Sequence, residues 1–278
     1  MVVLAVAGLL AGCGSGADRA GGPAGAGGAG GLPSSHVHGV DVNPADGTVY
    51  LATHDGLFRY GGSGPEQVGP VIDLMGFTVA GPDHFYASGH PGEGADLPNP
   101  VGLIESTDAG RTWRVLSRQG DSDFHTLASS SAGVVGFDGR LRISADGRTW
   151  QDLAVPAAPF SLAAAPDGRA VVATTEGGPI RSADGGRTWT AVTGAPLLGL
   201  VAWADGQTVA GIAADGGVFV STDAGLTWQR RGGVQGRPQA VGVASVSGGL
   251  RILVATGDAV VESTDGGAAF SRLPAGPA

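Results

Sequence analysis

From His36 onward, short apolar runs rich in Val, Leu, Ile and Ala alternate with turns built from Gly, Asp and Pro. Turn residues able to take positive φ separate the runs, as hairpins require. The stretch 160–192 shows the grammar most cleanly. It predicts a strand over 160–166, a turn at Pro166-Asp167-Gly168 and a second strand over 169–175. Glu176-Gly177-Gly178 then turns the chain into a third strand, 179–182, and a fourth follows at 188–192. The same grammar fits segments starting near His36, Gly76, Phe124, Leu198 and Ala240. Four antiparallel strands repeated six times predict an all-β fold, a six-bladed β-propeller over residues 36–275. A blade alone has an uncovered apolar face, so neighbours must stack and the ring must close on itself.

One polar stretch keeps the register. Ser106-Thr-Asp-Ala-Gly-Arg-Thr-Trp113 returns as Ser182-Ala-Asp-Gly-Gly-Arg-Thr-Trp189 and as Ser221-Thr-Asp-Ala-Gly-Leu-Thr-Trp228. A copy one residue shorter runs from Ser144 to Trp150, and a worn copy from Ser263 to Phe270. The leading serines lie about 38 to 42 residues apart, a propeller or solenoid period. Each copy falls between the third and fourth strands of its segment. Its carboxylate (Asp108, Asp146, Asp184, Asp223, Asp265) is placed to accept N–H groups of its own loop, with Gly supplying left-handed geometry and Trp apolar area. Segment one has Tyr60-Gly-Gly-Ser-Gly-Pro65 at this turn instead.

Composition narrows the function classes. The chain has 278 residues, 52 of them Gly, and every basic side chain is Arg. A formal charge of −9 argues against a nucleic-acid partner, because such binders present a basic face. The single cysteine excludes an internal disulfide framework. It closes the apolar run that starts at Val2, in Leu9-Leu-Ala-Gly-Cys13, and this resembles a bacterial lipobox, although no Lys or Arg precedes the run. On that reading residues 1–12 are a signal segment, too short to span a bilayer as a helix, and Cys13 is the lipidated N-terminus. Residues 13–35, mostly Gly, Ala, Ser and Pro, then form a flexible tether. The expected location is the outer face of the cytoplasmic membrane, with a monomeric propeller held there by its lipid.

The candidate chemistry is concentrated in the first half. All six histidines, at 36, 38, 54, 84, 90 and 125, precede segment four. In the strand reading His36 and His38 enter the first strand of segment one, and His125 enters that of segment three. His54 and His90 end second strands. These five share one rim, and His84 lies at the opposite end with the repeated turns. His36 and His38, two apart on a strand, share a face. Imidazole suits zinc, copper, iron or nickel, so the rim is a candidate ligand or metal site, copper or zinc being the sharper form. Histidines lining a polar small-molecule pocket, or simply hydrogen-bonded in a packed ring centre, are the competing readings. Met75, Phe77 and Phe124 are expected as apolar walls, and 91–100, the one break in repeat length, as a loop over the pocket. Asp138, Glu176, Asp215 and Asp258 sit at corresponding turns of later segments, where turn chemistry accounts for them.

The repeated stretch resembles the Asp-box of bacterial neuraminidase repeats, in which it is structural and lies away from the active face. Six-bladed sialidases share the blade count, and the resemblance implies a glycoside hydrolase. The catalytic set does not follow. No Phe/Tyr-Arg-Ile-Pro opens the first blade, and the last tyrosine is Tyr86, so the late-chain nucleophile has no candidate. A hydrolase would instead need two carboxylates, from Asp121, Asp123, Glu93 or Asp96. His36-Val-His-Gly39, Thr53-His-Asp-Gly-Leu57, Met75-Gly-Phe-Thr78, Ala87-Ser-Gly-His-Pro91, Gly102-Leu-Ile-Glu-Ser106 and Asp123-Phe-His125 are similar to a set of actinobacterial lipoproteins called sialidase-like or glycosyl hydrolase-like. A weaker likeness is to photosystem II stability factor and sortilin-type propellers, which implies partner binding. The expected function is thus a lipid-anchored propeller binding a metal, small polar molecule or glycan at the histidine rim. A sialidase-like hydrolase and a protein-binding scaffold are the alternatives.

Overall fold

The structure, a computed structural model, describes residues 32–34, 36–247 and 249–274. The proposed signal segment, Cys13 and most of the tether lie outside the described residues.

Among the described residues twenty-four strands form six four-stranded antiparallel sheets, each from one continuous stretch of chain. Blade 1 holds β1 (Val37–Val42), β2 (Val49–Thr53), β3 (Gly56–Gly61) and β4 (Gly64–Val68). Blade 2 holds β5 (Ile72–Gly81), β6 (His84–Pro91), β7 (Leu103–Ser106) and β8 (Arg114–Ser117). Blade 3 has β9 (Thr126–Ser130), β10 (Gly133–Phe137), β11 (Leu141–Ser144) and β12 (Gln151–Leu153). In blade 4 the strands are β13 (Ser161–Ala164), β14 (Val171–Thr175), β15 (Gly178–Ser182) and β16 (Thr190–Ala191). Blade 5 comprises β17 (Leu198–Trp203), β18 (Val209–Ala213), β19 (Gly217–Ser221) and β20 (Gln229–Gly233). β21 (Pro238–Val246), β22 (Gly249–Thr256), β23 (Val260–Ser263) and β24 (Ser271–Arg272) complete blade 6. This is a six-bladed β-propeller, and its strands in blade 4 fall within two or three residues of those the turn chemistry predicts.

The core lies between blades rather than in one mass. Second strands such as β2 and β14 are buried along their whole length, while the outermost strands β16 and β24 are exposed. Tyr50 of blade 1 meets Phe85 of blade 2 at 4.9 Å between ring centres, and Phe77 joins them. Fully burying side chains of this size contributes about 2 kcal/mol each, which is why a sheet wet on both faces cannot stand alone. Glycine sets the blade spacing near the axis: a Cβ on Gly242 of β21 would lie 2.3 Å from the Val40 carbonyl oxygen of β1.

Among the described residues no strand is exchanged between the first and last blades. The ring closes by packing of Val40 and Leu51 against Leu253 and Ala255. Two polar links reinforce it, Val37 N–H to Gln239 Oε1 at 3.0 Å and Arg251 Nη1 to the Gly47 carbonyl at 2.9 Å. Leu32 and Ser34 are buried, Leu32 among the blade 1 and blade 6 side chains.

The inner strands have free N–H groups that side chains of neighbouring blades satisfy. Asp41 Oδ2 accepts from Val79 N, Thr126 Oγ1 from Leu162 N, and Ser161 Oγ from Val201 N. These strands surround an axial cavity of about 760 Å³ that runs from His36 and His38 at one mouth to Ser131 and Ser245 at the other.

The repeated turn joins the third and fourth strands and lies at the end opposite the histidine rim. In blade 2, Asp108 Oδ1 accepts from Ser106 Oγ at 2.8 Å and Thr112 N at 2.9 Å, and Oδ2 from Thr112 Oγ1 at 2.6 Å. Asp184 and Asp223 repeat the set with Thr188 and Thr227. Asp146 and Asp265 keep the backbone contacts. Beyond locking its own hairpin, the turn packs across blades. A Cβ on Gly110 would meet Leu57 of blade 1 at 2.2 Å, and one on Gly225 would meet Val172 of blade 4 at 2.7 Å.

Candidate metal centre

A bulge organises the rim. In β1 the pairing runs Val37 with Thr53 and then Gly39 with Ala52, so His38 is the extra residue. Bulges re-aim a side chain while the ladder continues on both sides. The same irregularity puts Met75 of β5, Gly199 of β17 and Gln239 of β21 in the equivalent position. In blade 3 His125 stands there, its N–H bonded to the Phe137 carbonyl. By this register His36-x-His38, Asp73-x-Met75 and Asp123-x-His125 are equivalent pairs in three successive blades.

The structure brings the five rim histidines into two groups. In the first, His36, His38 and His54 have ring centres 4.7, 4.5 and 5.5 Å apart, His36 stacking on His38. His38 Nε2 is 3.2 Å from His54 Nε2, and His54 Nδ1 is 2.7 Å from Asp73 Oδ1. Among the described residues His38, His54 and Asp73 form the group whose ligand atoms lie within 4.8 Å of one another. Asp73 was not visible as a candidate from composition, but its register equivalence to His36 identifies it. In the second group Asp123 Oδ2 lies 2.7 Å from His125 Nε2 and 3.2 Å from His90 Nε2, and His90 Nδ1 is 2.8 Å from Asn99 Oδ1.

Protonation suits ligation in the first group. Burial, then the neighbouring His54 and His36, push the His38 imidazole down to about 4, and Asp73 only partly opposes them. Burial and His54 also lower His36. Both rings are therefore neutral near pH 7, the form that binds a metal. His125 adds a smaller electrostatic effect on His38, so the two groups adjoin.

Other expected site residues are placed differently. Phe124 is fully buried and stacks on Trp150 at 4.9 Å, in the core between blades 2 and 3. Phe77 belongs to the core between blades 1 and 2, although it borders the channel. Of the expected walls, Phe77 thus borders the cavity, Phe124 does not, and Met75 is half-buried. The exposed aromatic at the mouth is Phe160 of blade 4, which the sequence did not single out. The 91–100 loop does not line the axial cavity. Its Leu97 packs on blade 2, and Asn99 is the residue it brings to the rim. Glu93, Asp96 and Asp121 are exposed. His84 pairs with Glu105 at the far end, 2.8 Å away.

The fold and this rim define a six-bladed propeller with an imidazole cluster at one mouth of its axial cavity. No protein-family model and no curated protein matches the chain. Solved structures do. A GH74 xyloglucanase from Xanthomonas campestris superposes with a TM-score of 0.55 at 18% identity, over 84% of this chain and 38% of that one. An ancestral GH74 enzyme gives 0.54 at 16%, over 90% and 39%. A gluconolactonase from Xanthomonas campestris gives 0.61 at 13%, over 81% and 84%. The chain thus spans about two fifths of the length of the two GH74 enzymes. At these identities the likeness is one of fold.

Proposed function

We propose that this protein is a lipid-anchored extracytoplasmic propeller that binds a transition-metal ion, copper or zinc, at the rim of blades 1 and 2. The observation that carries the reading is the approach of His38, His54 and Asp73 ligand atoms to within 4.8 Å of one another. Two imidazole nitrogens 3.2 Å apart match two corners of a tetrahedral site, whose bonds are about 2 Å. The lipobox-like Cys13 supports the anchor, and the Ser–Asp turns support kinship with Asp-box repeat propellers.

The glycoside hydrolase reading has less support. Its carboxylate pair would come from Asp121, which is exposed, and Asp123, whose Oδ2 is already held by two histidines. The experiment is metal analysis of the full chain carrying Cys13→Ser, which removes the lone thiol, beside the same chain with His38→Ala. One tightly held copper or zinc ion in the first and none in the second is expected; equal content in both would refute the site.

A further inference from the structure

Asp73 and His54 contact each other through atoms that decide which His54 nitrogen is free to bind an ion. Asp73 Oδ1 is 2.7 Å from His54 Nδ1, so that nitrogen carries the proton and donates it to the carboxylate. The lone pair of His54 is then on Nε2, which faces His38 Nε2 at 3.2 Å. A carboxylate bonded to the far nitrogen of a metal-binding histidine fixes its tautomer and orientation. A His–Asp contact also recurs one blade on, there through the other ring nitrogen. His90 holds in β6 the place that His54 holds after β2, and it reaches Asp123, the register equivalent of Asp73. There Met75 replaces His38, and among the described residues no three-ligand group forms. The His–Asp contact therefore exists without a metal set around it.

We propose that Asp73 is a positioning residue and that the ion is held by three imidazoles, His36, His38 and His54, with its fourth position open toward the axial cavity. This rests on metal binding at the rim. Three imidazoles on one tetrahedral ion at bonds of about 2 Å have ring centres roughly 5 Å apart, and the three here are 4.5 to 5.5 Å apart. His36 lies nearly parallel to His38, 9° between planes, so its ring must turn to aim a nitrogen at the ion. It is exposed and precedes β1, so the turn costs only its stacking on His38. His36 and His38 both border the cavity of about 760 Å³, far more room than a bare ion needs. The open position there takes a small anionic or nitrogen-donor ligand.

The test uses Co(II), whose visible bands report its donor set, on the full chain with Cys13→Ser. The wild-type site should give the intense bands of a four-coordinate ion, and added azide should shift them. In Asp73→Asn the amide oxygen can still accept the His54 proton, so the spectrum should keep its shape while affinity falls about 10- to 100-fold. In His36→Ala the bands themselves should change. The reverse pattern, a changed spectrum in Asp73→Asn and an unchanged one in His36→Ala, would overturn the proposal in favour of Asp73 as ligand. A spectrum insensitive to azide would overturn the open position. Absence of Co(II), copper and zinc binding altogether would instead refute metal binding itself. Circular dichroism confirms that each variant is folded before it is read.

Discussion

Val37 and Gln239, 202 residues apart in sequence, are joined by a hydrogen bond of 3.0 Å between the Val37 N–H and the Gln239 side-chain oxygen. It crosses the seam between the first and last blades, where no strand is shared among the described residues. Among the described residues the two end blades are therefore joined by side-chain hydrogen bonds and packing. Gln239→Ala removes that acceptor and leaves a buried-strand N–H unpaired, at a cost of about 1–2 kcal/mol. Thermal unfolding should show a lowered Tm, and an unchanged Tm would show that the seam does not depend on this contact.

Asp41 predicts a pH dependence. Its carboxyl is pushed up to about 6 by burial, against the partial opposition of the Val42 and Val79 N–H groups. An acid with a raised folded pKa favours the folded state most below its unfolded value, near 4. As pH rises from about 4 to 6 the folded protein must hold a charge it disfavours, and stability falls by about 2 kcal/mol. Asp41→Asn should flatten that part of the stability-against-pH curve measured by urea unfolding. An identical curve would mean that the group titrates normally.

The Ser–Asp turns act in the opposite direction at lower pH. Hydrogen bonds from Thr188 hold the Asp184 carboxyl down at about 2, and those from Thr149 and Arg148 do the same for Asp146. Their contribution is complete above about pH 4 and is lost as pH falls through about 2. The acid limb of unfolding should therefore be shallower in Asp184→Asn than in wild type, with the difference vanishing below pH 2.

Residues 109 and 110 should respond unequally. Ala109 has φ 60°, a left-handed conformation that disfavours a Cβ, whereas Gly110 has φ 82° and no room beside Leu57. Ala109→Gly relieves strain of about 1 kcal/mol but gives up a buried methyl worth about as much, so its net effect should be small. Gly110→Ala adds strain and a clash with the next blade, a loss of about 2 kcal/mol or more. Chemical denaturation of the pair reads both, and a Gly110→Ala no less stable than Ala109→Gly would contradict the assignment.

Metal removal should reveal the rim. At a zinc concentration about 100-fold above Kd the folded state gains about 2.7 kcal/mol. Zinc should raise the Tm of the full chain, EDTA should reverse the rise, and His54→Ala should show neither effect. The same zinc response in His54→Ala would move the ion elsewhere.

Much of this was legible locally. Ser, Asp, Gly and Thr at fixed offsets dictate their own turn, because the bonds from Ser106 and Thr112 to Asp108 span four residues or fewer. Turn chemistry of that range is a property of the sequence, and repeated five times it sets blade number, strand order and the end of each blade to which His36, His38, His54, His90 and His125 belong. Leu32 in the Gly-rich stretch and Phe124 beside His125 were not readable this way, since each is buried by partners from distant segments.

The sequence by itself determined the propeller, the six blades and the placing of five of the six histidines at one rim. Only the tertiary structure decided which of them meet. A bulge aims His38, the next blade supplies Asp73 to hold His54, and Asp123 draws His90 and His125 into a separate group. Those contacts join residues of different strands and blades, so they depend on the packing of whole sheets around the axis and on no local pattern.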